Sequence, residues 1–158
     1  MAKTRSKSAN AIDLLKEDHS KVKKAFKEFE NMDRSDTEAC RQLVATVCED
    51  LKVHTTLEEE IFYPAVRAAI EDEDIMNEAA VEHETAKMLI EQLENSGPED
   101  PNYFATFTVL GEYVMHHVKE EEGEMFPQAK KASDLDLEAL GEQMKARKEE
   151  LVGEAAQS

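Results

Sequence analysis

Two segments of the chain place similar chemistry at similar spacing. HTTLEEEIFYP at 54–64 and HHVKEEEGEMFP at 116–127 each carry a histidine, a run of three glutamates and a closing aromatic–proline pair. Residues i and i+4 share one face of a helix. His54 with Glu58, and His117 with Glu121, therefore each present an imidazole and a carboxylate in one direction. His54, Glu58 and Pro64 recur 63 residues later as His117, Glu121 and Pro127, and His19 recurs 64 residues later as His83. A lone histidine on an apolar helix face is more often a core imidazole than a ligand. Four of them, two with a glutamate one turn further on, form a donor set for cations.

Buried without partners, the two carboxylates would each cost on the order of several kcal/mol, and a cation cluster would satisfy them together with the imidazoles. Six donors exceed what one tetrahedral zinc uses. They suit two ions, each taking two imidazoles, with the carboxylates between them. Imidazole with carboxylate fits iron, and zinc remains chemically allowed. A ferritin-like site needs Glu-x-x-His pairs, and no histidine here has a glutamate three residues before it. HETAK at 83–87 is no zinc-protease helix, because Lys87 stands where the second histidine must be.

Helices must position these residues, and the apolar periodicity supplies them. The first is expected from an Asn10 cap to about Met32, with Ile12, Leu15, His19, Val22, Phe26 and Phe29 on its buried stripe. The second starts near Asp36 and carries Cys40, Val44, Val47, Leu51, His54, Glu58 and Ile61; Pro64 should end or kink it, with helix resuming through PAVRAAI. The third covers about Ile75 to Asn95, with Ile75, Ala79, His83, Ala86, Ile90 and Leu93 inward. The fourth is expected from an Asp100 cap and Pro101, through Tyr103, Phe107, Leu110, Val114, His117 and Glu121. A further helix over about 133–152 would bury Leu137, Leu140, Met144 and Leu151. The fold class is thus all-α: an up-down-up-down four-helix bundle over about 10–130 with an additional C-terminal helix. His116 matches neither the stripe nor the repeat and should lie off the site.

Composition agrees. The 158 residues suffice for one domain, and Gly (5) and Pro (4) are scarce. A formal charge of −17 argues against nucleic acid and anionic membrane as partners. Residues 1–9 read as a disordered basic tail without the apolar stretch of a signal peptide. Cys40 and Cys48 lie eight residues apart on one expected helix, too far to bridge, and two reduced thiols point to the cytoplasm. Glu59, Glu60, Glu120 and Glu122 read as a solvated face, and Met76, Met88, Met115 and Met144 as packing residues.

The pattern His19, His54-x-x-x-Glu58, His83, His117-x-x-x-Glu121 resembles the hemerythrin-like HHE proteins. LEALGEQMKARKEEL in the last helix resembles their closing segment. The resemblance implies two iron ions with a bridging oxo or hydroxo group, held by His19, His54, Glu58, His83, His117 and Glu121, with Glu58 and Glu121 bridging. It also implies a small-molecule partner: dioxygen, peroxide or nitric oxide. Oxygen-carrying members have a second histidine where this chain has Lys87, and an aspartate where it has Glu122. The two irons are therefore expected to be nearly equivalent, with an open position beside His83 that favours reaction with an oxidant over reversible carriage. Reversible oxygen binding, sensing and storage are the alternatives. Tyr113, one turn before His117, and Tyr63, before the Pro64 kink, are candidates to support the metal or ligate it. The oligomeric state is not legible.

Overall fold

The computed structural model describes residues 10–157; the basic segment 1–9 lies outside them. Helix α1 is Ala11–Glu30, opened by a reciprocal capping box in which Asn10 accepts from the Asp13 amide. Helix α2, Thr37–Leu57, is capped by Asp36 and passes through a π-helical turn, Glu58–Phe62, into α3, Tyr63–Ala69. Helix α4 is Glu73–Glu94. Helix α5, Tyr103–Glu120, passes through a second π turn, Glu121–Met125, into α6, Phe126–Lys131. Helix α7 is Leu137–Gln157. No strand occurs among the described residues.

Consecutive long helices pack side by side, α1 also touches α5, and the four close into a bundle. Helix α7 lies outside it, against α1 and α2. The expected apolar stripes are the buried ones, apart from boundary corrections. Asp100 does not cap α5: its carbonyl and side chain make a turn before the helix begins at Tyr103. The last helix begins at Leu137 rather than near 133, because residues 132–136 turn first and Asp136 caps it by accepting from the Ala139 amide. It buries Met144 fully and Leu140 largely, but Leu137 and Leu151 only partly. Met88 is 55% exposed and no packing residue, because it sits on the outer face of α4.

The core divides into two apolar clusters. One holds Ile12, Leu15, Leu57, Phe62, Met76, Phe126 and Met144; the other holds Val22, Phe26, Val44, Ile90, Phe107 and Leu110. Within the second, Gly111 lets α5 approach α1 closely: a Cβ there would meet the Phe26 ring at 2.9 Å. Between the clusters lies one polar layer, in which His19, His54, His83, Glu58 and Glu121 are buried.

Candidate metal centre

The π turns explain how so many side chains reach one point. Pro64 and Pro127 have no N–H, so an α-helical ladder cannot run through them unbroken. Each π turn takes up the break with one wide bond, from the Tyr63 amide to the Glu58 carbonyl and from the Phe126 amide to the Glu121 carbonyl. In an α-helix, residue i+4 follows i on the same face; across a π turn, i+5 does. Phe62 is therefore fully buried where Ile61 was expected, and Ile61 is only half-buried. For the same reason Tyr63 stands over Glu58 and Phe126 over Glu121.

The structure brings His19, His54, Glu58, His83, His117 and Glu121 together. His19 Nε2 is 3.0 Å from Glu121 Oε1, and His54 Nε2 is 3.3 Å from Glu58 Oε2. Across the layer, His83 Nε2 is 2.9 Å from Glu58 Oε1, and His117 Nε2 is 3.4 Å from Glu121 Oε2. Each carboxylate thus turns one oxygen to each imidazole pair. His19, His54, Glu58 and Glu121 offer donor atoms all within 4.8 Å of one another, as do Glu58, His83 and His117. Four buried atoms have no hydrogen-bond partner: His19 Nε2, His54 Nε2, Glu58 Oε2 and Glu121 Oε1. A cation at their midpoint would satisfy all four, where unpaired atoms would cost about 1–3 kcal/mol each.

At the other pair the Tyr63 hydroxyl takes the centre. It lies 2.5 Å from Glu121 Oε2, 3.1 Å from Glu58 Oε1, 3.1 Å from His117 Nε2 and 3.2 Å from His83 Nε2. Its counterpart Phe126 instead stacks parallel to the His19 ring at 6.0 Å. The two positions are therefore not equivalent, and the one beside His83 is not open in the way expected from Lys87. Tyr113 is 45% exposed and lines the cavity beside the four imidazoles.

Outside the inner donors, each imidazole gives its Nδ1–H to a carboxylate from another helix. His19 pairs with Glu122 at 2.7 Å, His54 with Asp18 at 3.0 Å, His83 with Glu59 at 2.8 Å and His117 with Glu82 at 2.6 Å. These contacts fix the tautomer and turn the Nε2 lone pairs inward. Glu59 and Glu122 are thus not solvated face residues. Asp18 and Glu82 were missed, although the signal was present: they repeat with the 64-residue offset of the histidines they precede. Lys87 holds Glu59 at 2.7 Å and so acts behind His83. Glu60 pairs with Arg147, and Glu120 with His116. His116 is 62% exposed and points away from the layer, as expected.

Electrostatics follow from this crowding. Burial alone would push the Glu58 carboxyl up, but the charge of His54 beside it and the hydrogen bond of His83 hold it well below the ordinary range. Burial would lower His54, yet Glu58 and Asp18 outweigh it and raise the imidazole to about 10. His117 is raised to about 11 against its burial, by Glu121 and Glu82. Burial, then the Glu121 and Glu58 charges, push the Tyr63 phenol well up. Without metal, protons on His54 and His117 supply positive charge that the carboxylates demand.

Beside the four imidazoles lies a cavity of about 30 Å³, whose apolar lining includes Val22, Leu51, Ala86 and Val114. A water needs ~10–15 Å³ on this measure, so it holds about two water-sized molecules or one diatomic.

A family model described as the hemerythrin HHE cation binding domain matches residues 10–129. Among curated proteins, a DNA nickase of Nostoc sp. is 31% identical over 117 residues, 74% of this chain and 32% of the relative. The chain thus spans about a third of that protein's length. Among solved structures, a hemerythrin HHE cation binding domain-containing protein from Mycobacterium kansasii superposes with a TM-score of 0.77 at 26% identity. That alignment covers 94% of this chain and 90% of the other.

Proposed function

The chain belongs to the hemerythrin HHE cation-binding domain family, and on that premise we propose that it is a non-haem diiron protein that binds and reacts with a small oxidant. The ion cofactor is two irons and the oxo or hydroxo group joining them; the oxidant is dioxygen, peroxide or nitric oxide. The observation that carries the reading is the set of four orphaned atoms on His19, His54, Glu58 and Glu121, aimed at one point in a buried layer. His83 and His117, with the second oxygens of Glu58 and Glu121, supply the other position, and the Tyr63 hydroxyl is placed to join it.

Iron held by imidazole and carboxylate supplies one-electron redox chemistry and Lewis acidity. The chain's own residues do the rest. Asp18, Glu59, Glu82 and Glu122 orient the imidazoles. Val22, Leu51, Ala86 and Val114 limit the adjoining cavity to a molecule of a few atoms. The Tyr63 O–H donates to Glu121 Oε2 and so holds that carboxylate in place.

Cys40 and Cys48, both buried and free, support a reducing compartment, the cytoplasm. No helix among the described residues is long and apolar enough to cross a membrane. The charge of −17 supports a role apart from DNA contact, whatever the longer relative does as a whole.

The test is to load metal-free protein with ferrous ion without oxygen, count the iron, and expose it to air or peroxide. Two irons per chain, consumption of peroxide and autoxidation in air are expected. Full, repeated recovery of the reduced spectrum after purging, with no peroxide loss, would favour reversible oxygen binding instead. One tightly held zinc and no iron uptake would overturn the proposal.

A further inference from the structure

Helix α7 lies beyond residues 10–129 covered by the family match, yet it reaches the metal layer. Lys148 Nζ is 2.8 Å from Asp18 Oδ1, while Asp18 Oδ2 accepts from His54 Nδ1 at 3.0 Å. One carboxylate is thus held at both ends, by an ammonium from α7 and by an imidazole of the site. The preceding residue, Arg147, places its guanidinium Nε 2.9 Å from Glu60 Oε1, within the π turn that begins at Glu58. Two adjacent cations therefore grip the segments that carry His19, His54 and Glu58.

We propose that Lys148 is a positioning residue for His54, that α7 clamps the His19–His54 half of the metal centre through it, and that docking of α7 and filling of that half are linked. An exposed ion pair is ordinarily worth little, because water competes for both charges. This one differs because the Asp18 side chain is only 14% exposed and its second oxygen is already committed to His54. The other half has its own equivalent: Lys87 Nζ holds Glu59 Oε1 at 2.7 Å, and Glu59 Oε2 holds His83 Nδ1 at 2.8 Å. There the ammonium comes from the same helix as the imidazole. Among the described residues, only the His54 side depends on a helix outside the bundle. Linkage is reciprocal, so if α7 steadies His54 for a metal, a bound metal must steady α7.

The inference rests on the metal reading above, and cobalt(II) tests it independently of turnover. The full-length metal-free chain is titrated with cobalt against a competing chelator, and amide hydrogen exchange of 137–157 is followed before and after loading. Lys148→Met should weaken one of two binding steps roughly tenfold, at the lower end of the loss usual for outer partners of metal ligands. Lys148→Arg should restore most of it, and Asp18→Asn should weaken the same step. Lys87→Met should weaken the other step, and Glu150→Gln, which breaks only the Arg147–Glu150 pair, should change neither. Loading should slow exchange in α7 of the wild type more than in Lys148→Met. Equal steps in Lys148→Met and wild type, or exchange in α7 indifferent to loading, would overturn the clamp while leaving the metal centre intact. A wild-type chain that takes up no cobalt would overturn the metal reading, and the clamp with it.

Discussion

Tyr63 and Phe126 occupy equivalent places 63 residues apart, each just after a π turn and just before a proline, yet they treat the metal layer differently. Tyr63 sets a hydroxyl among two carboxylates and two imidazoles; Phe126 lays a bare ring against His19. The internal repeat builds two like halves, and this oxygen atom is one feature that makes them chemically distinct. Tyr63→Phe should therefore keep the iron content at two but remove any visible phenolate-to-iron charge-transfer band from the oxidised protein. Phe126→Tyr should place a second phenol at the His19 side. Identical visible spectra for wild type and Tyr63→Phe would show that the phenol stays off the metal.

The adjacent histidines separate the inner layer from the surface. His117→Ala removes an inward donor and strands Glu121 in a buried site, so most of the metal should be lost. His116→Ala loses the 3.3 Å pair with Glu120 and a looser 3.7 Å contact with Glu82, which keeps its 2.6 Å bond to His117, and should leave metal content nearly unchanged. Glu122→Gln lies between these extremes. It retains the shape but weakens the hold on His19, and affinity should fall about 10- to 100-fold. Metal analysis after dialysis against a graded chelator ranks all three. A Glu122→Gln protein as tight as wild type would return that residue to the solvated face.

The pH dependence of the metal-free protein has a definite sign. His54 is raised to about 10 and His117 to about 11 when folded, against about 6.5 unfolded. Their contribution to stability is fully present below about pH 6.5 and is lost as pH rises through 10 to 11. Glu58 has the opposite sign: held below its ordinary value of 4.5, its contribution is present above that pH and lost on acidification. Metal must displace the imidazolium protons, so loading should release protons and affinity should rise with pH. Urea midpoints of metal-free and loaded protein at about pH 6 and pH 10 check this. The metal-free midpoint should drop on the alkaline side and the loaded one should not. A metal-free midpoint that climbs over that interval would contradict the assignment.

The cavity gives a separate handle on reactivity. Ala86 lines the cavity and is not one of the six donor residues, so Ala86→Leu adds bulk to the cavity wall. Overpacking should cost about 1–3 kcal/mol in stability, and the iron content should stay at two per chain. Reaction with peroxide or dioxygen should slow at least about tenfold, the equivalent of ~1.4 kcal/mol in barrier. Unchanged rates with intact iron would place the route of entry elsewhere.

The apolar stripe of each helix was legible because burial repeats with the helical period, so one face of α1, α2, α4 and α5 could be read residue by residue. The six residues that meet in the middle layer were legible for the same reason: a polar residue on an apolar stripe is conspicuous, and the 63-residue repeat made it so twice. The sequence by itself therefore determined the bundle, its inward faces and the residues that meet in its middle layer. It did not determine what stands around them. A proline at 64 or 127 announces a break in the hydrogen-bond ladder without saying that one π turn will absorb it, and that turn carries Tyr63 onto the Glu58 face. The outer carboxylates come from neighbouring helices, so Asp18 is joined to His54 and Glu122 to His19 only when the helices have docked at one height and rotation. Helical period fixes which way a side chain points from its own axis. Which charges then meet across two axes is a property of packing, and the tertiary structure alone decided it.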